Sequence, residues 1–230
     1  MTEHTVKSYG EELAHLTAEV TRMGGLAEAQ VADSIAAIAR RDAPLAQAVV
    51  AGDERLDALQ GEIERKAFRL IALRQPMAVD LRHAVAALKI SMSLERCGDM
   101  AKNIGKRALI LTEADPMTAL TRSIERMGRL VQGRLKDVLD AYTTSDLQRA
   151  IGVWSRDEEV DEHYNSIFRE LLTYMMGDPR TINACAHLLF VAKNLERIGD
   201  HATNIAEIIH FELTGEELVS QRPKLDVVSQ

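Results

Sequence analysis

Apolar residues recur along this chain at intervals of three and four, the period of a helix that buries one face. Leu81, Val85, Leu88 and Met92 follow that spacing, and so do Leu188, Val191, Leu195, Ile198 and Ala202. No window alternates at the period of two expected of a half-buried strand. Pro44, Pro76, Pro116, Pro179 and Pro223 fall between the periodic runs, where the missing amide donor and the ring clash of proline do no harm to a helix interior. Thr143, Thr144, Ser145 and Asp146 supply one further break through turn and N-cap chemistry. The pattern predicts six helices, over 7–41, 45–74, 77–112, 116–142, 146–176 and 179–213, and a polar, frayed tail after Gly215.

The chain also repeats itself. Arg22-Met23-Gly24 returns as Arg126-Met127-Gly128, and the acidic pair Asp53/Asp57 returns as Asp157/Asp161, both 104 positions on. Leu94-Glu95-Arg96, Gly98-Asp99 and Asn103-Ile104 return as Leu195-Glu196-Arg197, Gly199-Asp200 and Asn204-Ile205, now 101 positions on. An offset that drifts by a few residues around a loop is what a duplication with loop insertions leaves behind. The expectation is an all-α protein of two tandem, similar three-helix bundles with six long antiparallel helices: unit one over 1–112, unit two over 113–215, and a flexible tail over 216–230.

Composition agrees with this pattern and narrows the function. Apolar residues make up 46% of the 230, yet aromatics only 4%, so the apolar mass consists of residues that enter helices easily. A net charge of −7 argues against a nucleic-acid partner, which needs a basic face. No apolar run is long enough for membrane insertion, and the N-terminal residues lack the apolar stretch of a signal peptide. Cys97 and Cys185 form neither a CxxC pair nor a disulfide framework, as expected in a reducing compartment. The chain reads as cytoplasmic.

Glu95 and Asp99 lie one helical turn apart on one face, as do Glu196 and Asp200, and Asn103 and Asn204 extend the two stripes. If each bundle brings its second acidic pair alongside, Asp53/Asp57 and Asp157/Asp161 complete four carboxylates per unit. Such a site is rich in hard oxygen ligands and suits Mg²⁺, Mn²⁺, Ca²⁺ or ferric iron better than soft metals. The alternative is that the stripes face water, with Arg96 and Arg197 offsetting the repulsion as ion pairs. Gly98 and Gly199 sit mid-helix at a cost of about 1 kcal/mol each, which points to close approach by a neighbouring helix rather than by a bound group. Glu12/His15 and Glu207/His210 have the spacing of di-iron ligands but occupy non-equivalent places in the repeat. His201 is expected at the surface and Cys97 in the core. No phosphate loop, nucleophile elbow or zinc pattern is present.

Gln75-Pro76-Met77-Ala78-Val79-Asp80-Leu81-Arg82, followed by the doubled Leu-Glu-Arg-X-Gly-Asp, resembles the PhoU family, regulators of the phosphate-specific transport system. The resemblance spans nearly the whole chain. It implies two similar three-helix bundles, often a homodimer, with metal ions (Fe, Mn, Mg or Zn) bound in some members at motifs that map onto Glu95/Asp99 and Glu196/Asp200, with Asp53/Asp57 and Asp157/Asp161 beside them. It further implies a non-enzymatic negative regulator of the phosphate-starvation response. Its partners would be the phosphate ABC transporter ATPase subunit and a phosphate sensor histidine kinase, which would recruit it to the inner face of the membrane. Unit two departs from the pattern, having Asp178-Pro179-Arg180-Thr181 in place of the Asp-Leu-Arg segment. Two other readings stand beside this one: a metal-dependent carboxylate-bundle enzyme, and a purely structural bundle without metal.

Overall fold

The computed structural model describes residues 2–114 and 117–218, with side chains described from residue 10 onward. Among the described residues seven α-helices run in order: α1 (Thr2–Arg40), α2 (Ala43–Arg74), α3 (Val79–Glu113), α4 (Thr118–Thr144), α5 (Leu147–Trp154), α6 (Glu158–Gly177) and α7 (Ile182–Thr214), with one 3₁₀ turn, Pro179–Thr181, before the last. They form six arms, because α5 and α6 continue one another. Pro116, Pro223 and the tail after Leu218 lie outside the described residues.

Local chemistry explains the corners. The Asp42 side chain accepts the Leu45 amide at 2.9 Å and caps α2, with Pro44 in the first turn. Gln75 closes α2 in the left-handed conformation, its N–H bonded to Ile71 O at 3.1 Å, and Pro76 prevents continuation. Ser145 does the same for α4, and Asp146 then caps α5 through the Arg149 amide at 3.0 Å.

The fifth predicted segment, 146–176, is interrupted. The hydroxyl of Ser155 and the Nε of Arg156 both donate to Gly152 O, at 3.2 and 3.0 Å, so side chains take the carbonyl that the continuing ladder would use. Glu158, Glu159 and Asp161 then supply the negative charge favoured at a helix start. Its counterpart α2 carries no such substitution and runs unbroken through Asp53.

The units meet about a local two-fold axis. Where α1 crosses α4, a Cβ on Gly24 would fall 2.5 Å from Leu139 Cδ2, and one on Gly128 would fall 2.7 Å from Ile35 Cδ1. Each contact is the image of the other, and the crossing is antiparallel. α3 and α7 also run antiparallel: Arg82 near the start of α3 donates to Glu212 O at 3.2 Å, and Arg107 near its end faces His187 Nδ1 at 3.1 Å. α2 covers unit one, α5 and α6 cover unit two, and one hydrophobic core runs through both, from Leu16 and Met23 to Leu195 and Ile209. Among the described residues no helix is long and apolar enough to cross a membrane.

Candidate functional site

In unit one, α2 and α3 bring the predicted acids into a common electrostatic field. Asp53 is 1% exposed, and the ammonium of Lys102, reaching from α3, pairs with its Oδ2. Its Oδ1 is buried without a hydrogen-bond partner. Asp57, one turn further along α2, is exposed. Arg96 lies 3.5 Å from both Glu95 and Asp99. Burial raises the pKa of Asp57, followed by the charge of Asp53, with Asp99 adding and Lys102 opposing. Burial likewise raises Glu95; Arg96 opposes it, while Asp99, Asp57 and Asp53 add to it. Both directions arise because the neutral, protonated form is favoured first by loss of solvent and then by the neighbouring carboxylates. The group thus holds four carboxylates and two cations.

Unit two keeps the acids but rearranges their partners. Asp157 is buried at the start of α6, and its carboxylate accepts the Thr203 hydroxyl at 2.6 Å. Glu196 accepts Lys193 Nζ at 2.7 Å, while its Oε2 is buried without a partner. Asp161 and Asp200 are half-buried. Arg134, 2% exposed, donates to the Asp157 backbone oxygen at 3.4 Å and to Glu159 at 3.2 Å. Burial is also the first cause of its lowered pKa. Position 134 corresponds to Gln30 in unit one, where the side chain donates to Val49 O at 2.9 Å, and Thr203 corresponds to Lys102. The cation beside the buried aspartate has changed helices between the two copies: it is the half-buried Lys102 of α3 in unit one and the buried Arg134 of α4 in unit two.

Lys102, Thr203, Gln30 and Arg134 were not among the residues singled out by sequence. A signal existed for two of them, since position 102/203 changes type inside an otherwise repeated motif. In the side-chain arrangement present, no three His, Cys, Asp or Glu among the described residues are placed to hold a metal ion. Asn103 is exposed and Asn204 half-buried.

The secondary candidates resolve simply. The missing side chains of Gly98 and Gly199 make room for Leu56 and Val160 from the packed neighbouring helix, an added Cβ coming within 2.5 and 3.3 Å respectively. Cys97 is fully buried in the core, and burial pushes its thiol up to about 12. His201 departs from the surface position expected of it. It is half-buried near Arg96 and Arg197, its Nδ1 lacks a partner, and burial ahead of those two charges lowers its pKa. Glu12 pairs with Arg74, His15 with Glu19, Glu207 with the Trp154 indole and His210 with Glu216 O, so the two Glu-X-X-His elements hold separate partners.

Comparison with known proteins agrees with this architecture. The PhoU domain family matches residues 20–108 and 124–209, once in each unit. A "phosphate-specific transport system accessory protein PhoU homolog" from Caulobacter vibrioides is 95% identical over 230 residues, covering 100% of both chains. One of the same description from Rhizobium meliloti is 47% identical over 226 residues, covering 98% of this chain and 95% of its own. The crystal structure of PhoU from Pseudomonas aeruginosa superposes with a TM-score of 0.85 at 36% identity, covering 90% of this chain and 100% of that one. The phosphate transport system regulatory protein PhoU from Streptococcus pneumoniae gives 0.85 at 28% identity, with 91% and 99% covered.

Proposed function

The chain belongs to the PhoU family, and from that premise we propose that it is a non-enzymatic regulatory adaptor of phosphate transport whose doubled acidic groups bind metal. The phosphate role is supported by the names of its relatives, foremost the accessory protein that shares 95% of its residues over the full length. In this reading the chain docks on the transporter's ATPase subunit and on a sensor histidine kinase, at the cytoplasmic face of the membrane, and keeps the kinase quiet when phosphate is plentiful. Long helical arms with broad lateral faces suit docking better than catalysis.

The metal reading is carried by one observation: each acidic group contains a buried carboxylate oxygen with no partner, Asp53 Oδ1 in unit one and Glu196 Oε2 in unit two. Unsatisfied buried acceptors are rare and costly, and a cation satisfies them. Glu95, Asp99, Asp53 and Asp57 would hold an ion in unit one, and Glu196, Asp200, Asp157 and Asp161 in unit two, with Fe, Mn, Mg or Zn as the chemical candidates. A bound ion would cross-link the two helices of each site and stiffen the face they form. The chain supplies this by turning Glu95 and Asp99 away from Arg96. The 3.5 Å contacts of that partly exposed arginine are weak.

Measurement of bound metal in protein purified without chelator, paired with a phosphate-starvation reporter in cells, tests the proposal. Glu196→Ala with Asp200→Ala should lower metal content and relieve repression; unchanged values of both would remove the mechanism. A second reading, in which the acids are structural, is favoured by the Lys102–Asp53 and Thr203–Asp157 contacts. It predicts that chelator treatment leaves stability and repression as they were.

A further inference from the structure

Resting on the adaptor reading above, we propose that the groove between the start of α3 and the end of α7 docks an amphipathic helix of another protein. That helix carries an apolar stripe, with acidic residues along the edge facing α3 and basic residues along the edge facing α7.

The two ends of the α3–α7 pair differ although the backbone repeats. At one end the Arg107 guanidinium stacks over Phe190, 4.1 Å from the ring centroid, and faces His187 Nδ1 at 3.1 Å. Ile208, Lys89 and Ala86 hold the equivalent positions at the other end. An aliphatic chain, a mobile ammonium and a methyl group cannot build that stack, and a groove of about 380 Å³ is left in its place. Val85, Ala86, Ile208 and Phe211 give it an apolar lining, and Phe211 is 36% exposed. Covering such a surface is favourable in water.

Charge selects the occupant. Arg82 and Lys89 line the groove from α3, while Glu207 and Glu217 line it from the other side. The two cations lie seven positions apart on one helix, about 10 Å, or two turns of a helix laid alongside. Lys89 and Glu217 are exposed and make no ion pair among the described residues. The backbones of α3 and α7 are bonded within their own helices, so recognition falls to side chains, and two adjacent helical ridges receive a third helix. Cations on one bank and carboxylates on the other demand opposite charges on the two edges of that helix, which also sets its direction. Residues 219–230 of this chain do not meet the demand, because Asp226 is their only acid and Pro223 interrupts a helix.

Fluorescence anisotropy tests this with the full-length chain and a labelled helical peptide of about five turns, bearing a leucine stripe, glutamates along one edge and lysines along the other. The peptide should bind and change the emission of Trp154, whose indole bonds Glu207. Ala86→His, Lys89→Phe and Ile208→Arg together copy the closed end, and should weaken binding at least about tenfold. Lys89→Glu, a single surface change, should weaken it too, and one lysine among the glutamates of the peptide should recover that loss. In cells carrying the phosphate-starvation reporter, the closed-end copy should relieve repression. No binding, or equal affinity for the chain and its closed-end copy, would overturn the inference. So would full repression by that copy where removal of the whole chain relieves it, and the adaptor reading would then stand. A reporter unmoved by removal of the whole chain would overturn both. Tighter peptide binding after Leu225→Ser, Val227→Ser and Val228→Ser would assign the groove to the chain's own C-terminal segment. A halved mass of the closed-end copy on sedimentation would assign it to a second copy. Either result would overturn the proposal.

Discussion

At the scale of single residues, the repeated Arg-Met-Gly triplet shows how a sequence signal acquires a meaning. The triplet marks the duplication, but its glycine does physical work only in the fold, where Gly24 and Gly128 let α1 and α4 approach until Leu139 and Ile35 fill the space of a side chain. A side chain at Gly128 would meet three atoms of Ile35 within 3.0 Å, and a β-branched residue cannot turn all of them away. Gly128→Val should therefore lower stability by about 2 kcal/mol, overpacking outweighing the gain from removing a helical glycine. Urea unfolding measures this. The penalty should shrink in an Ile35→Ala background, because the two residues share one space; an equal penalty in both backgrounds would show that the crossing is not the cause.

At the scale of elements, four helices converge on a polar cluster between the units. His83 on α3 lies 2.7 Å from Thr17 Oγ1 on α1, and its Nδ1 meets the Glu212 carboxylate on α7. The buried Tyr142 hydroxyl of α4 stands beside Thr17 and Glu212 without a hydrogen bond of good geometry, and its burial raises its pKa. At the image of this place under the local two-fold axis, Ala184, Ile38 and Leu111 replace His83, Tyr142 and Glu212. There Ile38, Leu111 and Thr121 line a small cavity instead. The duplication is thus symmetric in backbone and asymmetric in chemistry. Glu212→Leu should cost about 1–3 kcal/mol by stranding polar partners. The triple change His83→Ala, Tyr142→Ile and Glu212→Leu, which copies the apolar end, should recover part of that loss. Thermal unfolding of the two variants makes the comparison, and a triple variant less stable than the single one would contradict it.

At the scale of the whole molecule, the two units share their core and so should share their fate. Each contributes one helix to the α1–α4 crossing and one to the α3–α7 crossing, and the buried cluster is continuous across them. A unit separated from its partner would uncover Gly24 and Ile35 on α1 or Gly128 and Leu139 on α4, the residues that bury one another at the crossing. Unfolding should therefore be a single cooperative transition. The sole tryptophan, Trp154, reports on unit two, whereas helical circular dichroism reports on both. Their midpoints in urea should coincide; a separated fluorescence transition would show that unit two melts alone.

Sequence by itself determined the helical class, the six arms and most of the corners, because each depends on residues within a few turns of one another. Proline, capping aspartates and the three-to-four spacing act locally, and their effects survive whatever the rest of the chain does. The interruption at Ser155–Asp157 escaped because it depends on side chains competing for one carbonyl, with neither proline nor glycine at the break. The tertiary structure alone decided which carboxylates are buried and which cation answers each of them. Asp53 and Asp57 are indistinguishable by spacing, yet one faces the α3 packing surface and the other solvent. Lys102 and Arg134 reach their buried partners from helices far away in the chain, and the strength of such a contact is set by burial and distance, neither of which is a property of the linear sequence.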